Sequence, residues 1–307
     1  MRKIALGKSG LNVPAIAVGC MRMSRIEKKA AASFVQKALD LGAYFFDHAD
    51  IYGGTKCEEV FSDAFKETGV KREDVILQTK CSIVPGKMYD FSKEHIVNSV
   101  EGSLRRLKTE YIDVLLLHRP DALMEPEEVA KAFETLYKSG KVRNFGVSNQ
   151  NPGQIRLLQK YVKHPIVANQ LQLSLTNATL ITQGMHVNMM DDPHSVNRDG
   201  GILDFCRLED ITIQPWSPFQ HGMIQGVYIG NPDYPEINAK LAETAKKYGI
   251  SESGAVIAWI LRHPAKMQPI VGTMNEGRLA ECVKAADVTL SREDWYALLL
   301  SGGSKLP

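Results

Sequence analysis

"YIDVLLLH", residues 111–118, is a near-continuous run of β-forming apolar residues that closes on a histidine. A run of this kind reads as a strand covered on both faces or lining a filled barrel. Seven more runs share its character: IAVG (16–19), AYFFD (43–47), VILQTK (75–80), VRNFGVSN (142–149), IVANQLQLS (166–174), ITIQPWSP (211–218) and QPIVGT (268–273). Between them apolar residues fall at helical spacing, as in Ala31, Phe34, Val35 and Ala38, then Ile96, Val100, Leu104 and Leu107, then Val129, Phe133 and Leu136. Each set forms one core-facing stripe. Eight strands alternating with helices predict an α/β chain folded as a (β/α)8 TIM barrel. An open doubly wound sheet of the Rossmann kind would place G-x-G-x-x-G straight after its first strand, and that motif is absent.

Outside the repeat, KIALGKSGLNVPAI predicts an N-terminal β-hairpin over the bottom of the barrel, and SREDWYALLLSGG predicts an extra C-terminal helix. A barrel of this kind uses about 250 residues as one unit, so residues 1–307 are read as a single domain. Two segments, 174–200 and 219–236, exceed what connections need, and long loops in compact domains tend to be functional or disordered.

The composition narrows the partners. With 44% hydrophobic residues, 23% charged residues and a formal charge of +2, the chain has no basic excess for nucleic acid. A small-molecule partner is expected. No stretch approaches the roughly 18 apolar residues of a membrane span, and the N-terminal apolar run is too short for a signal peptide. Five scattered cysteines (Cys20, Cys57, Cys81, Cys206, Cys282) without C-x-x-C suggest neither a disulfide framework nor a zinc site, and fit a reducing cytoplasm.

In a (β/α)8 barrel the functional groups stand at the C-terminal ends of the strands. Those ends carry Asp47, Lys80, His118, Ser148 and Asn149, with Gln170 inside the sixth run and Trp216 near the close of the seventh. Asp and Lys directed into a half-buried mouth each carry a desolvation cost unless paired, so an Asp47–Lys80 ion pair is expected. Tyr52 follows in the loop after Asp47. A phenol gives up its proton near neutrality only with a cation to stabilise the phenolate, and Lys80 is the expected cation. With His118 hydrogen-bonding a carbonyl oxygen, the set is suited to general acid catalysis of hydride addition.

FFDHADIYG, SLRRLKTEYIDVLLLHRPD and LYKSGKVRNFGVSN together resemble the aldo-keto reductase family over nearly the whole chain. The resemblance implies a reductase of aldehydes or ketones, with Tyr52 as general acid, Asp47 and Lys80 as the pair tuning it, and His118 polarising the carbonyl. It implies a nicotinamide cofactor held at its carboxamide by Ser148, Asn149 and Gln170, with Trp216 standing where the family has a ring-stacking Tyr. Ser217, Pro218 and Phe219 would border the pyrophosphate, Thr273 and Arg278 would meet a 2′-phosphate, and Glu281 the adenine. Met21 and Arg22 would approach the ribose or line the substrate side. NADPH is the coenzyme this implies. NADH stands second, because Gly272 occupies a position where phosphate-preferring relatives place Lys. His48, where many relatives have Ser or Thr, and RPD after His118 are departures expected to bear on the substrate pocket. His186, His194 and His221 are read as loop histidines on the solvated surface, with His194 a candidate for lining substrate. Three other readings stand beside this one: a lyase with Lys80 forming a Schiff base, a metal hydrolase using DHAD and His118, and a non-catalytic cofactor-binding regulatory subunit.

Overall fold

The computed structural model of the chain describes residues 1–187, 189 and 196–304. Strands β1 (Lys3–Ala5) and β2 (Asn12–Pro14) form the antiparallel hairpin expected at the N-terminus. The barrel strands follow with their helices: β3 (Ala17–Gly19) and α1 (Lys28–Asp40), then β4 (Phe45–Asp47) and α2 (Lys56–Glu67), then β5 (Ile76–Cys81). A small hairpin, β6 (Ile83–Val84) and β7 (Met88–Tyr89), precedes α3 (Lys93–Leu107). The sheet resumes with β8 (Ile112–Leu117), α4 (Pro126–Lys138), β9 (Val142–Ser148), α5 (Pro152–Tyr161) and β10 (Ile166–Gln172). Next come α6 (Thr179–Thr182), α7 (Ile202–Leu208), β11 (Thr212–Trp216) and a hairpin of β12 (Gln220–His221) and β13 (Gly226–Val227). The chain ends with α8 (Pro235–Tyr248), α9 (Glu252–Arg262), β14 (Ile270–Val271), α10 (Glu276–Ala285) and α11 (Arg292–Ser301).

The eight-stranded sheet runs β11-β10-β9-β8-β5-β4-β3-β14 with every neighbouring pair parallel. Its two edges meet where the Gln268 N–H donates to the Ile213 carbonyl at 3.0 Å, which nearly closes the (β/α)8 barrel. All eight expected strands are present, and most of their positions are buried. β8 is buried at every position, and the stripes of α1, α3 and α4 are buried against the sheet. Local chemistry sets the helix ends. Ser291 Oγ accepts from the Asp294 N–H at 3.1 Å to start α11, and α5 opens on a reciprocal Asn151–Gln154 capping box with Pro152 behind it.

The hairpin lies against the bottom of the barrel. Gly7 has φ +47°, its N–H donates to Thr212 Oγ1 at 2.8 Å, and a Cβ there would stand 2.3 Å from the Val167 carbonyl oxygen. Only glycine fits both the left-handed backbone and this approach. Segment 219–236 is partly ordered by the β12–β13 hairpin, which Tyr228 ties down by donating to the Pro218 carbonyl at 2.8 Å. The expectation for His194 lies outside the described residues. His186 corrects its surface reading: it is 2% exposed, because a helical turn closed by its N–H on the Thr182 carbonyl at 3.1 Å folds the chain back after α6. His221 is half-buried, its ring centroid 5.2 Å from that of Tyr234. All five cysteines are buried and free. Among the described residues no helix is long and apolar enough to cross a membrane.

Because the hairpin is seated through Gly7, Gly7→Ala is expected to lower folding stability by about 1–3 kcal/mol, read as a reduced urea midpoint with an unchanged slope.

Candidate active site

Strand register brings the polar strand ends together. Asp47 stands beside Gln78 between β4 and β5, and Lys80 beside Leu116 between β5 and β8. Lys80 is fully buried and Asp47 is 2% exposed. The ammonium donates to Asp47 Oδ1 and Oδ2, both at 2.8 Å, to the His48 carbonyl at 2.6 Å and to Tyr52 Oη at 3.2 Å. The expected ion pair is therefore formed, and the tyrosine is its third partner. The Tyr52 ring meets that of His118 edge-on, with centroids 5.9 Å apart.

Each group's electrostatics follow from this packing. Burial alone would discharge Lys80, but Asp47 and the Tyr52 hydroxyl outweigh it and the ammonium is held above its ordinary range. Burial pushes the Tyr52 phenol up and Lys80 pulls it down; the net direction is upward, so the phenol stays protonated at neutral pH. The sequence reading weighted only the cation, and the missing influence is desolvation. Burial, reinforced by Lys80 and then Arg119, drives His118 well below its ordinary value, so its imidazole is neutral.

Beneath Asp47 runs a ladder of buried amides that the sequence reading did not single out. Gln78 Nε2 donates to Asp47 Oδ1 at 2.7 Å and to Gln214 Oε1 at 2.9 Å. Gln214 Nε2 donates back to Gln78 Oε1 at 3.1 Å and onward to Gln268 Oε1 at 2.8 Å. Gln268 Nε2 ends on the Pro14 carbonyl at 2.7 Å. Gln170 also donates to Asp47 Oδ1, at 3.1 Å. The signal was present: an isolated Gln inside an otherwise apolar strand run must find partners within the barrel.

A cleft of about 1050 Å³ opens over these groups. Asp47, Tyr52 and His118 line it, as do Met21, Arg22, Ser148, Asn149, Gln170, Trp216, Ser217, Pro218, Phe219, Gly272, Thr273 and Arg278. Lys80 lies beneath the wall, and Glu281 is exposed on α10 without lining the cleft. The Trp216 indole N–H donates to Asn149 Oδ1 at 3.2 Å, Asn149 Nδ2 donates to Ser148 Oγ at 2.7 Å, and that hydroxyl donates to the Gln170 carbonyl at 3.0 Å. At the far end Arg278 Nε donates to Thr273 Oγ1 at 3.2 Å beside the start of α10. A hydroxyl, a guanidinium and a helix N-terminus together suit an anion. Ile83 on β6 and the loop residues Arg119 and Ile229 also form the wall.

His48 does not itself line the cleft. It is fully buried with its ring 4.5 Å from Phe61, and burial and then Lys80 lower it to about 3. Asp50, on the same segment, is raised by burial and then by Glu58 to about 7.

Residues 15–298 match the Aldo/keto reductase family, and the chain belongs to that family. It is 37% identical to an uncharacterized oxidoreductase, YcsN, of Bacillus subtilis over 277 residues, covering 87% of this chain and 86% of that protein. It is 33% identical to a 6-dehydroglucose reductase of Agrobacterium fabrum, covering 97% of each chain. The crystal structure of the thermostable aldo-keto reductase Tm1743, in complex with epalrestat, superposes with a TM-score of 0.78 at 25% identity over 98% of this chain and all of that one. The family and its oxidoreductase members support carbonyl reduction as the general chemistry.

The His48 shift has a sign that can be measured. Between its ordinary 6.5 and about 3, the unfolded chain binds a proton that the folded protein refuses, so His48 makes stability fall as pH drops through that window. Asp50 acts oppositely: from 3.8 to about 7 the folded carboxyl keeps a proton the unfolded one releases, so its contribution falls as pH rises. His48→Leu is expected to flatten the acid-side loss of stability in urea titrations at pH 4, 5 and 6, leaving the opposing Asp50 slope.

Proposed function

We propose that this protein reduces an aldehyde or ketone to the alcohol with NADPH, Tyr52 supplying the proton. The observation that carries the reading is the buried Lys80 ammonium joined at once to Asp47 and to the Tyr52 hydroxyl, beside a neutral His118, at the wall of a large cleft. Ser148, Asn149 and Gln170 would hold a reduced nicotinamide cofactor, which would supply the hydride for the carbonyl carbon. Tyr52, kept protonated by burial, gives its Oη proton to the carbonyl oxygen, so C=O becomes CH–OH. Lys80 then faces the phenolate at the same hydrogen-bond position and stabilises it until solvent returns the proton. A neutral His118 can donate one hydrogen bond to the carbonyl oxygen, polarising it without competing as the acid.

The residues present fit the cofactor. The linked Ser148, Asn149 and Gln170 offer hydroxyl and amide groups to a carboxamide, and the half-buried Trp216 offers a ring face anchored through its N–H. Thr273 and Arg278 would hold a 2′-phosphate, which favours NADPH; with Gly272 in place of a Lys, Arg278 supplies the charge in that pair. A Schiff-base lyase is disfavoured by Lys80 itself, since an ammonium held charged by Asp47 has no free lone pair for attack.

Tyr52→Phe is expected to lower kcat for NADPH oxidation with a panel of aldehydes and ketones by about 10²-fold or more, while fluorescence titration returns a nearly unchanged NADPH Kd. Retained turnover would refute the role of Tyr52. Arg278→Ala should weaken NADPH by about tenfold and leave NADH untouched, a difference that competition between the coenzymes reads directly.

A further inference from the structure

We infer that Arg119 is an anion-binding subsite, and that the preferred substrate is a carbonyl compound carrying a carboxylate a few bonds from the reacting carbon. The inference rests on the carbonyl-reducing reading of the cleft and adds to it the class of substrate.

Arg119 follows His118 directly, at the exit of β8, and lines the same cleft. Six arginines are neither exposed nor fully buried: Arg2, Arg22, Arg72, Arg106, Arg119 and Arg262. Five of them donate to acceptors: Arg2 to the Leu261 carbonyl, Arg22 to that of Gly272, Arg72 to Asp113, Arg106 to Glu58 and Arg262 to the Leu290 carbonyl. Arg119 makes no hydrogen bond and no ion pair among the described residues; its guanidinium carbon lies 5.7 Å over the Trp216 ring. None of its nitrogens is fully buried, so its donors stay open and free to bind a ligand in the cleft.

The nearby acids do not meet it. Asp121, two residues on, spends Oδ2 on the Phe91 N–H at 2.9 Å and Oδ1 on the Leu123 N–H at 2.8 Å. Asp47, the one carboxylate among the described residues lining the cleft, is bound to Lys80, Gln78 and Gln170. The remaining charged lining consists of Arg22, Arg25, Arg119 and Arg278, so the wall is cationic. Arg22 is turned to Gly272, and Arg278 to Thr273 at the α10 end. Arg119 is therefore the cation beside the His118 that the mechanism sets on the carbonyl oxygen. Ile83 and Ile229 also line this cleft, giving it apolar surface beside its cations. A planar guanidinium pairs best with a planar carboxylate, through two parallel N–H···O bonds.

The test compares two aldehydes of nearly equal shape, 4-carboxybenzaldehyde and 4-methylbenzaldehyde. With NADPH at low salt, the wild-type protein should favour the carboxylate by about tenfold or more in kcat/KM, and the advantage should shrink as salt is added. Arg119→Gln should bring the ratio near one, and Arg119→Lys should keep part of it. An absent preference, or one that survives Arg119→Gln, overturns the inference. So does an equal loss on both aldehydes with weakened NADPH binding, which would assign Arg119 to the cofactor. Calorimetry of 4-(hydroxymethyl)benzoate against 4-methylbenzyl alcohol, each titrated into the NADP⁺-loaded protein, gives the same comparison without turnover. Charge-selective, Arg119-dependent binding without reduction of either aldehyde would sink the proposed reductase activity while sustaining the anion subsite.

Discussion

Everything at the barrel mouth depends on keeping one charge pair out of water. Burying an ammonium and a carboxylate costs several kcal/mol per ion, repaid only when the geometry is close and the remaining donors and acceptors are used. Lys80 and Asp47 meet that condition. The three ammonium protons have Asp47, the His48 carbonyl and Tyr52 Oη to go to, and Asp47 Oδ1 takes two amide donors besides the lysine. Tyr52 is thus one of the partners that make the buried ammonium tolerable. Removing its hydroxyl affects the pair as well as any proton it delivers, which is why cofactor binding must be measured beside turnover.

The amide ladder extends this constraint through the barrel. An ionised carboxylate only accepts, so Gln78 must turn its NH₂ towards Asp47, and its oxygen is then available to Gln214. The donors of Gln214 point to Gln78 and Gln268, and Gln268 reaches the carbonyl of Pro14 on β2. Amide orientations that would be interchangeable in isolation are fixed one after another, from the mouth to the hairpin at the bottom. All three glutamines are fully buried, and each amide of the ladder finds its partners inside the barrel, so a polar spine coexists with an apolar barrel.

Strands and helices were legible because their signal is local: a run apolar on both faces, a stripe at helical spacing, a serine at a helix start. The strand-end residues were legible because the barrel directs such ends to one mouth, and the register of β4, β5 and β8 brings them there. The ladder was not legible as a ladder. Gln78, Gln214 and Gln268 lie far apart in the chain, and only closure of the sheet between β11 and β14 sets the last two side by side. The net rise of Tyr52 was missed for a related reason, since desolvation depends on what packs over a group. His186 was misread because loop length suggested exposure, while a single helical turn after Thr182 buries it.

Segment 48–58 shows how the position of Tyr52 is held from behind. His48 and Asp50 flank Ala49, and the Asp50 N–H donates to the Lys80 carbonyl at 3.0 Å, so the loop is clipped to the strand that carries the ammonium. Both side chains are buried, and both are driven towards their uncharged forms: His48 by burial and the lysine, Asp50 by burial and Glu58. Glu58, also buried, stays satisfied by Arg106 Nε and Thr79 Oγ1, each at 2.7 Å. The segment therefore places a neutral imidazole and a carboxyl titrating near neutrality behind a charge that must remain, and it keeps a second full charge away from Lys80 on that side. A charged group at position 48 would either repel the ammonium or compete for it with Asp47. An uncharged ring packed on Phe61 does neither, and leaves Lys80 free to hold Tyr52.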